Sequence, residues 1–573
     1  MTTTLEKIFP RTLGYLDDAQ SMHVLGKSPD AFADAIRSDV SFFPKAAFLA
    51  DLADVEFACW NVERMHQEFN RPSRGAVINP RLQIVPVTYD ISICFNDSTT
   101  GISGDIEPDE GWILVWKGPE TGTLYVEKAD EQMLLALKVL SEEEHVSRGD
   151  QLNVINQAID YAARKGIVLK APYLVSRSLQ GFPMGNNIPE RYFTASVFTL
   201  QWHITNACDL HCRHCYDRER RSPLTAEQGL AIIDDFDRFC QEKNVRGHVC
   251  FSGGNPFMSP HFFLLYRSAV DKGMATSLLG NPVSAEELQR VIDIRMPDYF
   301  QVSLEGLEEH NDYIRGEGYF SRVMAFLDLL REKQVSSAVM LTLTQANIDQ
   351  ILPLADILRG KTDYFTFNRL SQVGEGALLS LPDSHAYRRF LKEYTAAAAD
   401  NPVIGLKDNL INILRERKGV TPFGGCTGFG CGAAFNFVAL LPDGEVHACR
   451  KFPSLIGNIL ENSFLTIYES LEAQRYRMGP DECKECRLRP VCGGCMAVVH
   501  GMGLDPFTEK DPFCFIEVEK SKGKSEKGEG ERGSQKAKVK RGKGKEEVKR
   551  QKAKVKRGKG KGKGRSQEPG GSD

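Results

Sequence analysis

The chain has 573 residues, more than one ordinary hydrophobic core organises, so we expect several domains. Its hydrophobic content of 42% and charged content of 26% are typical of a soluble globular protein. The sequence has neither an apolar run long enough to span a membrane nor the apolar core of a signal peptide, so a cytoplasmic location without membrane association is predicted. Fifteen cysteines in such a chain favour reduced thiols that bind metal over a disulfide framework.

The first 190 residues carry no metal motif and divide into two predicted domains. Residues 1–110 are expected to be mainly helical, because apolar residues recur at helical spacing in runs such as 48–57. From residue 111 to 190 the pattern changes to that of a small mixed domain. It predicts a hairpin of strands 112–116 and 123–126, helices over 131–141 and 151–165, and a short strand at 167–169.

The next region, 194–375, alternates short apolar runs with helical patterns. Such alternation indicates an α/β fold whose parallel strands are joined by right-handed crossovers. In barrels of this kind the chemistry lies at the carboxyl ends of the strands. Six strands are predicted, at 198–204, 248–252, 275–279, 299–304, 336–343 and 364–368.

Three cysteines, Cys208, Cys212 and Cys215, follow the first of these strands with the spacing C-x3-C-x2-C. Three thiolates are one fewer than a [4Fe–4S] cluster normally takes, so one iron would stay open to a substrate or cofactor. A zinc site or a chance group of buried thiols is the alternative. Zinc sites usually complete four ligands and pair them as C-x2-C, which this run does not do.

Bridging helices are predicted over 376–420, and a cysteine-rich domain follows over 421–516. Its C-x2-C pairs would suit structural zinc as well as iron–sulfur clusters. Four further cysteines, Cys59, Cys94, Cys240 and Cys250, lie in apolar surroundings and are interpreted as buried thiols. The eight cysteines of the domain are Cys426, Cys431, Cys449, Cys483, Cys486, Cys492, Cys495 and Cys514.

The last segment, 517–573, is a Lys/Gly-rich tail. From Lys520 to Asp573 it has 21 Lys or Arg and 7 Asp or Glu, a net charge of +14. Because the whole chain has a net charge of −4, the remainder has a net charge of −18. An 11-residue unit starting at Gln535 recurs at Gln551. Such a segment cannot bury a core and is predicted to be disordered. It is either a solvated tail without a specific role, which we favour, or an arm for an anionic partner.

The cysteine run Asn206–Tyr216 resembles the signature of the radical S-adenosylmethionine (SAM) enzymes. Three later segments resemble motifs of that family: Ser252–Pro256 stands at its G-G-E-P turn, Gln301–Gly306 at its ribose-binding strand, and His310–Gly316 at an H-D-x-x-R-G segment. The resemblance implies a partial (β/α)6 barrel. It also implies a cluster whose open iron chelates the amino and carboxylate groups of SAM, and cleavage of SAM to methionine and a 5′-deoxyadenosyl radical.

The same resemblance gives the candidate SAM contacts and an electron donor. Asn255 stands where the family has Glu, so it offers a carbonyl acceptor without a charge. Arg315 is a candidate SAM contact or a cap of the next helix. A reduced ferredoxin or flavodoxin is the implied electron donor. The candidate SAM contacts are Gly253, Gly254, Asn255, Ser303, Glu305 and Arg315.

The second cysteine-rich segment resembles the SPASM domain, which carries two auxiliary [4Fe–4S] clusters in many peptide-modifying radical SAM enzymes. Carried over by position, the resemblance implies two interleaved ligand sets. The first is Cys426, Cys431, Cys449 and Cys495, and the second is Cys483, Cys486, Cys492 and Cys514. Because the sets interleave, metal binding would also contribute folding energy.

The branch of the family is indicated by one substitution and by the N-terminal extension. Sulfatase-maturing relatives have an Asp base directly after the third SPASM cysteine, where this chain has Arg450, which cannot accept a proton. The chain is more similar to maturases of ribosomally made peptides, and most similar to selenobiotic (thio/seleno-oxazole) maturases. Residues 111–190 resemble winged-helix-like domains that bind a leader peptide as an added strand; a packing module is the alternative.

We therefore predict a radical SAM oxidoreductase that modifies a ribosomally synthesised peptide, with the precursor peptide as its partner and no identified catalytic base. Two alternatives stay open. One is an iron–sulfur redox sensor that binds nucleic acid through its helical N-terminus and basic tail, although we do not expect a nucleic-acid partner. The other is a radical SAM enzyme that acts on a small-molecule cofactor precursor.

Overall fold

The structure, a computed structural model, describes residues 2–516 except 66–68, 70, 74, 97–106, 143–148, 184 and 186–187. The predicted disordered tail, 517–573, lies outside the described residues. Within the described part, no helix has both the length and the apolar character that crossing a membrane would need.

The N-terminus is a helical bundle built on one long buried helix. Helix α3 begins with a capping box in which Asp17 and Gln20 satisfy each other's backbone amides. Helix α5 is buried on all sides over residues 48–53, and the shorter helices pack on it. The helices are α1 Thr2–Ile8, α2 Pro10–Gly14, α3 Asp18–Leu25, α4 Phe32–Ser38 and α5 Ala46–Arg64.

A three-stranded antiparallel sheet in the order β2-β3-β4 follows, with α5 on one face and two later helices on the other. Val85 and Val115 face α5, whereas Leu114 and Trp116 face the later helices. The elements are β1 Ala76–Ile78, β2 Leu82–Tyr89, α6 Ile93–Asn96, β3 Pro108–Lys117, β4 Leu124–Lys128, α7 Glu131–Glu142, α8 Gly149–Lys165 and β5 Val168–Lys170, where β5 pairs with β1.

The boundary expected at residue 110 falls inside this sheet. Strand β3 begins at Pro108 and pairs over its length with β2, which lies in the part expected to be helical. The β-branched residues of β2, among them Ile84, Val85 and Val87, favour a strand once a partner sheet is present. The helical bundle therefore ends at Arg64, and the sheet that follows spans the boundary predicted at residue 110.

The central region is the expected partial (β/α)6 barrel. Six parallel strands lie in sequence order across the sheet, and each is joined to the next by one or two helices. The strands are β8 Val197–Thr205, β9 Arg246–Gly253, β10 Ala275–Leu279, β11 Phe300–Ser303, β12 Ser337–Leu343 and β13 Tyr364–Arg369. The helices are α9 Ala226–Glu242, α10 Phe262–Asp271, α11 Ala285–Ile294, α12 Glu308–Arg315, α13 Tyr319–Glu332 and α14 Ile351–Leu358.

The cysteine-rich domain extends the barrel sheet. Strand β14 pairs in parallel with β8, and a hairpin of β15 and β16 continues the sheet to nine strands. The remaining elements are α15 Ser384–Asp400, α16 Ile411–Arg417, β14 Phe437–Leu440, β15 Glu445–His447, β16 Leu455–Asn458, α17 Phe464–Glu469, α18 Leu471–Met478 and α19 Met496–Gly501.

A segment before the barrel joins it to the cysteine-rich domain. Strands β6 Val175–Ser176 and β7 Thr194–Ala195 form a short ladder, and Phe182 lies in the barrel core. The buried Arg177 guanidinium donates to the carbonyl oxygens of Pro490 at 2.7 Å and Cys431 at 2.9 Å. Residues from about 171 onward therefore pack with the barrel, although they fall within the range 111–190 that the sequence predicts as one domain.

Candidate active site

A cavity of about 730 Å³ lies at the carboxyl ends of the barrel strands. It is lined by the loop after β8, the turn after β9 and the ends of β10 to β13. Asn255 and Glu305 do not line the cavity. The predicted site residues that do line it are Cys208, Cys212, Cys215, Gly253, Gly254, Ser303 and Arg315.

The three cysteines of the first loop each have a neighbour that favours the thiolate or fixes the loop. Asn281 Nδ2 lies 3.5 Å from Cys208 Sγ, and Arg315 Nη1 lies 3.8 Å from Cys212 Sγ. The Cys215 carbonyl accepts a hydrogen bond from the Glu375 amide at 2.9 Å. Burial raises the pKa of Cys208 and Cys212, while the Asn281 amide and the Arg315 charge oppose that rise.

The Gly253–Gly254 turn packs against the cysteine loop. A Cβ at Gly253 would lie 2.1 Å from the Thr205 carbonyl oxygen, and one at Gly254 would lie 2.1 Å from that of Ala207. The Gly254 amide also donates to the Thr205 carbonyl at 2.8 Å. Glycine is therefore required because two backbones meet, and the SAM contact that the resemblance implies for both glycines stays a prediction.

Asn255 does not line the cavity, and its side-chain amide supports the cysteine loop. Its Nδ2 donates to Asp209 Oδ1 at 3.3 Å, and Asn281 Nδ2 donates to the same oxygen at 2.6 Å. Tyr319 in turn donates to Asn281 Oδ1 at 3.2 Å. The amide nitrogen of Asn255 is thus bound to Asp209, and the SAM contact expected of its carbonyl oxygen stays a prediction. Sequence reasoning missed Asn281, which reaches the site only through the fold.

Glu305 is also occupied by protein groups. Its Oε1 accepts from Arg315 at 2.5 Å and lies 3.2 Å from His214 Nε2, while Oε2 accepts from the Thr342 amide at 2.8 Å. Burial alone would raise the pKa of Glu305, but the His214 and Arg315 charges lower it to about 2. Glu305 therefore fixes Arg315 beside Cys212, and its expected contact to SAM stays a prediction.

The wall nearest the cysteine-rich domain carries His203, Tyr216 and Arg450. The Tyr216 hydroxyl lies 3.2 Å from His203 Nε2. Burial, reinforced by the charges of Arg450 and His447, lowers the pKa of His203 to about 3, so its imidazole is neutral. These three side chains could not be placed in the site from their sequence positions alone.

The eight cysteines of the C-terminal domain gather in two separate cavities. Cys426, Cys431, Cys449 and Cys495 line one, and Cys483, Cys486, Cys492 and Cys514 line the other. These are the two sets that the resemblance implied, and their ligand roles stay predictions. Of the remaining cysteines, Cys240 and Cys250 are buried and Cys59 and Cys94 half-buried.

The donor sets suit clusters better than single ions. In the described part of the chain, no three His, Cys, Asp or Glu side chains converge on one metal-ion position. The corners of a [4Fe–4S] cube bind different thiolates, so such ligands surround a volume without meeting at a point. Three thiols at an open cavity and two sets of four at enclosed ones fit one cluster with an open iron and two fully ligated clusters.

Comparison with protein families assigns the class. Residues 202–358 match the model of the radical SAM superfamily, and residues 431–496 match that of the SPASM iron–sulfur cluster-binding domain. The protein is a radical SAM enzyme with a SPASM domain, and its cofactors are SAM and [4Fe–4S] clusters.

Individual relatives share about a quarter of their residues with this chain. The AdoMet-dependent heme synthase of Methanosarcina barkeri is 26% identical, covering 55% of this chain and 95% of that protein. The mycofactocin maturase of Mycolicibacterium smegmatis is 28% identical, covering 59% and 86%. The subtilosin biosynthesis protein AlbA of Bacillus subtilis, which serves an antilisterial bacteriocin, is 25% identical, covering 55% and 72%.

Proposed function

We propose that this radical SAM enzyme modifies a ribosomally synthesised peptide whose leader binds to the N-terminal region. When bound, the first cluster supplies the electron that cleaves SAM and so starts hydrogen abstraction. The chain's own residues hold the cluster loop, fix Arg315 beside Cys212 and enclose the reaction space. A reduced ferredoxin or flavodoxin as the electron donor, and the cytoplasm as the location, belong to the same proposal.

The observation that carries the proposal is a groove beside an edge strand. Among the described residues, β4 pairs with β3 only, so its other edge faces a cavity of about 330 Å³. The far wall of that groove comes from α1, α2 and α5, with Lys7, Arg11 and Trp60 among its residues. An extended peptide added to β4 would gain backbone hydrogen bonds and side-chain contacts to this wall.

The relatives support the N-terminal region as an addition to the catalytic part. The heme synthase is matched over nearly its whole length, yet that match covers only 55% of this chain. The heme synthase therefore has no counterpart to a large part of this chain. The extra segment with its groove is well suited to recruiting a substrate larger than the cavity. The bacteriocin relative favours a peptide as that substrate.

The groove is tested by binding of a leader-bearing precursor peptide, which is sought among the products of the neighbouring genes. Trp60→Ala should weaken precursor binding about tenfold, which is typical of losing one aromatic anchor. Trp112→Ala is the matched control, because Trp112 is 45% exposed on the same sheet but does not line the groove. Equal binding by wild type and Trp60→Ala would contradict a leader site here.

A small-molecule cofactor precursor is the second candidate, because the heme synthase relative is matched nearly end to end. Turnover of a tetrapyrrole, with no binding of any precursor peptide encoded by a neighbouring gene, would favour it.

The non-enzymatic redox sensor is set aside because the superfamily match identifies an enzyme. The thio/seleno-oxazole branch stays a prediction, and mass spectrometry of the modified peptide tests it.

A further inference from the structure

The cavity has more positive charge than its own carboxylates compensate. Its lining includes seven Arg or Lys side chains and two carboxylates, Asp217 and Glu219. Both of these acids pair with one cation, Arg221, at 3.4 and 3.1 Å. An uncompensated set of cations in a recess attracts an anionic group of the ligand.

Most of the buried cations already have acidic partners. Arg221 also pairs with Asp443 and Glu445, Arg315 pairs with Glu305, and Arg369 pairs with Asp408 and Asp511. Arg450 differs, because its guanidinium has no hydrogen-bond or ion-pair partner among the residues that the structure describes. It is half-buried and lines the cavity.

Arg450 also faces the barrel interior. It follows Cys449 directly and lines the cavity together with His203 and Tyr216. His203 lies at the end of β8 and Tyr216 in the cysteine loop, so Arg450 shares the cavity wall with both elements. The guanidinium therefore stands close to the reaction space, on the side of the auxiliary cysteines.

We infer that Arg450 binds a carboxylate of the peptide substrate, either an Asp or Glu side chain or a free C-terminus, and so positions the residue to be modified. A guanidinium donates two parallel N–H bonds that match the two oxygens of a carboxylate. This inference rests on the proposed peptide substrate. The carboxylate of SAM is a competing ligand for the same group, and the test separates the two.

The test is protection of Arg450 from phenylglyoxal in the reconstituted, anaerobic full-length protein, followed by peptide mapping. The modification rate is first measured with and without SAM, and three soluble probes are then compared at equal ionic strength with SAM present: N-acetylglutamate α-methylamide, N-acetylalanine, and N-acetylglutamine α-methylamide as the uncharged match. With a Kd of about 10 mM, a probe at about 50 mM should slow modification of Arg450 about sixfold. Arg267, exposed on α10 and outside the cavity, should react at one rate throughout.

Each outcome decides the inference. Protection by the glutamate probe assigns a side-chain carboxylate, and protection by N-acetylalanine assigns a C-terminus. Equal rates with the acid and amide probes, protection by SAM alone, or failure of phenylglyoxal to reach Arg450 would each overturn it. SAM cleavage by the unmodified wild type, and its binding of the precursor, are measured separately. An enzyme that passes both but shows no carboxylate protection refutes this inference and leaves the proposed function standing.

Discussion

Glu305 shows how a single side chain sets the electrostatics of the first cysteine loop. It is 2% exposed and holds Arg315 and His214 on one oxygen. Glu305→Gln should therefore cost about 3–5 kcal/mol of unfolding free energy at neutral pH, because it leaves a buried guanidinium without its counter-charge. Denaturant titration checks this, with Asp328→Ala in the exposed Arg331 pair as a control expected to cost about 0–1 kcal/mol.

The pH dependence of that difference follows from the lowered pKa. Ionised Glu305 contributes stability that is fully present above its ordinary pKa of 4.5 and is lost as pH falls toward about 2. The difference in unfolding free energy between wild type and Glu305→Gln should thus narrow only below pH 4.5, as measured by denaturation at several pH values. A gap that is constant throughout acid pH would contradict the ionised state.

Gly254 offers a steric test of the cysteine loop. Gly254→Ala places a methyl group 2.1 Å from the Ala207 carbonyl oxygen, so the loop must shift. We expect loss of the first cluster, about four of about twelve irons per chain, and loss of SAM binding. Iron and sulfide analysis measures this, with Gly14→Ala as control because nothing lies within 4 Å of its Cβ. Normal iron content in Gly254→Ala would refute the close-approach argument.

The cysteine positions could be predicted from the sequence, but the roles of their neighbours could not. Spacing alone placed Cys208, Cys212 and Cys215 in one loop. The motif predicts that Asn255 contacts SAM, but it does not reveal that the Asn255 amide binds Asp209, 46 residues earlier. Contacts of this kind depend on how strands stack in three dimensions, and no local pattern encodes them.

At the scale of elements, a buried ion network links the barrel to the cysteine-rich domain. Arg369, at the end of β13, binds Asp408 and both oxygens of Asp511, and Asp511 also accepts from the Cys495 amide. Asp511→Ala should destabilise the protein by about 3–5 kcal/mol, because Arg369 is then buried with one partner fewer. Denaturant midpoints test this, and an unchanged midpoint would argue against a coupled network.

The helices and strands of the barrel could be predicted because parallel strands are continuous apolar runs between amphipathic helices. The sheet of the cysteine-rich domain could not. Strands β14, β15 and β16 are three or four residues long, too short for a periodic signal. They exist because β8 offers an open edge, which only the folded barrel provides.

For the whole molecule, three clusters should give about twelve irons per chain after anaerobic reconstitution. Replacing Cys208, Cys212 and Cys215 by Ala should leave about eight irons and abolish SAM cleavage, because only the first site has an open iron. Iron analysis and chromatography of 5′-deoxyadenosine measure both. Zinc in place of iron, or 5′-deoxyadenosine from the triple variant, would contradict these assignments.

The N-terminal region should be separable from the chemistry. Deleting residues 1–170 removes its two hydrophobic clusters but keeps Val175, Arg177 and Phe182, which pack with the barrel and the cysteine-rich domain. We expect SAM cleavage without peptide to persist and precursor modification to fall sharply through lost binding. Removal of residues 517–573 is the control, and it should change precursor binding and modification little at moderate salt. Unchanged precursor affinity after the N-terminal deletion would refute the recognition role.

The pairing of β14 with β8 also governs the order in which the molecule can assemble. Val438 lies opposite Leu200, so this contact joins parts of the chain more than two hundred residues apart. Strand β8 leads directly into the first cysteine loop and keeps an open edge until the cysteine-rich domain has been synthesised. Long-range pairing of this kind folds slowly and leaves the edge exposed in the meantime. Insertion of the first cluster is therefore expected to follow translation of the C-terminal domain rather than to accompany synthesis of the barrel.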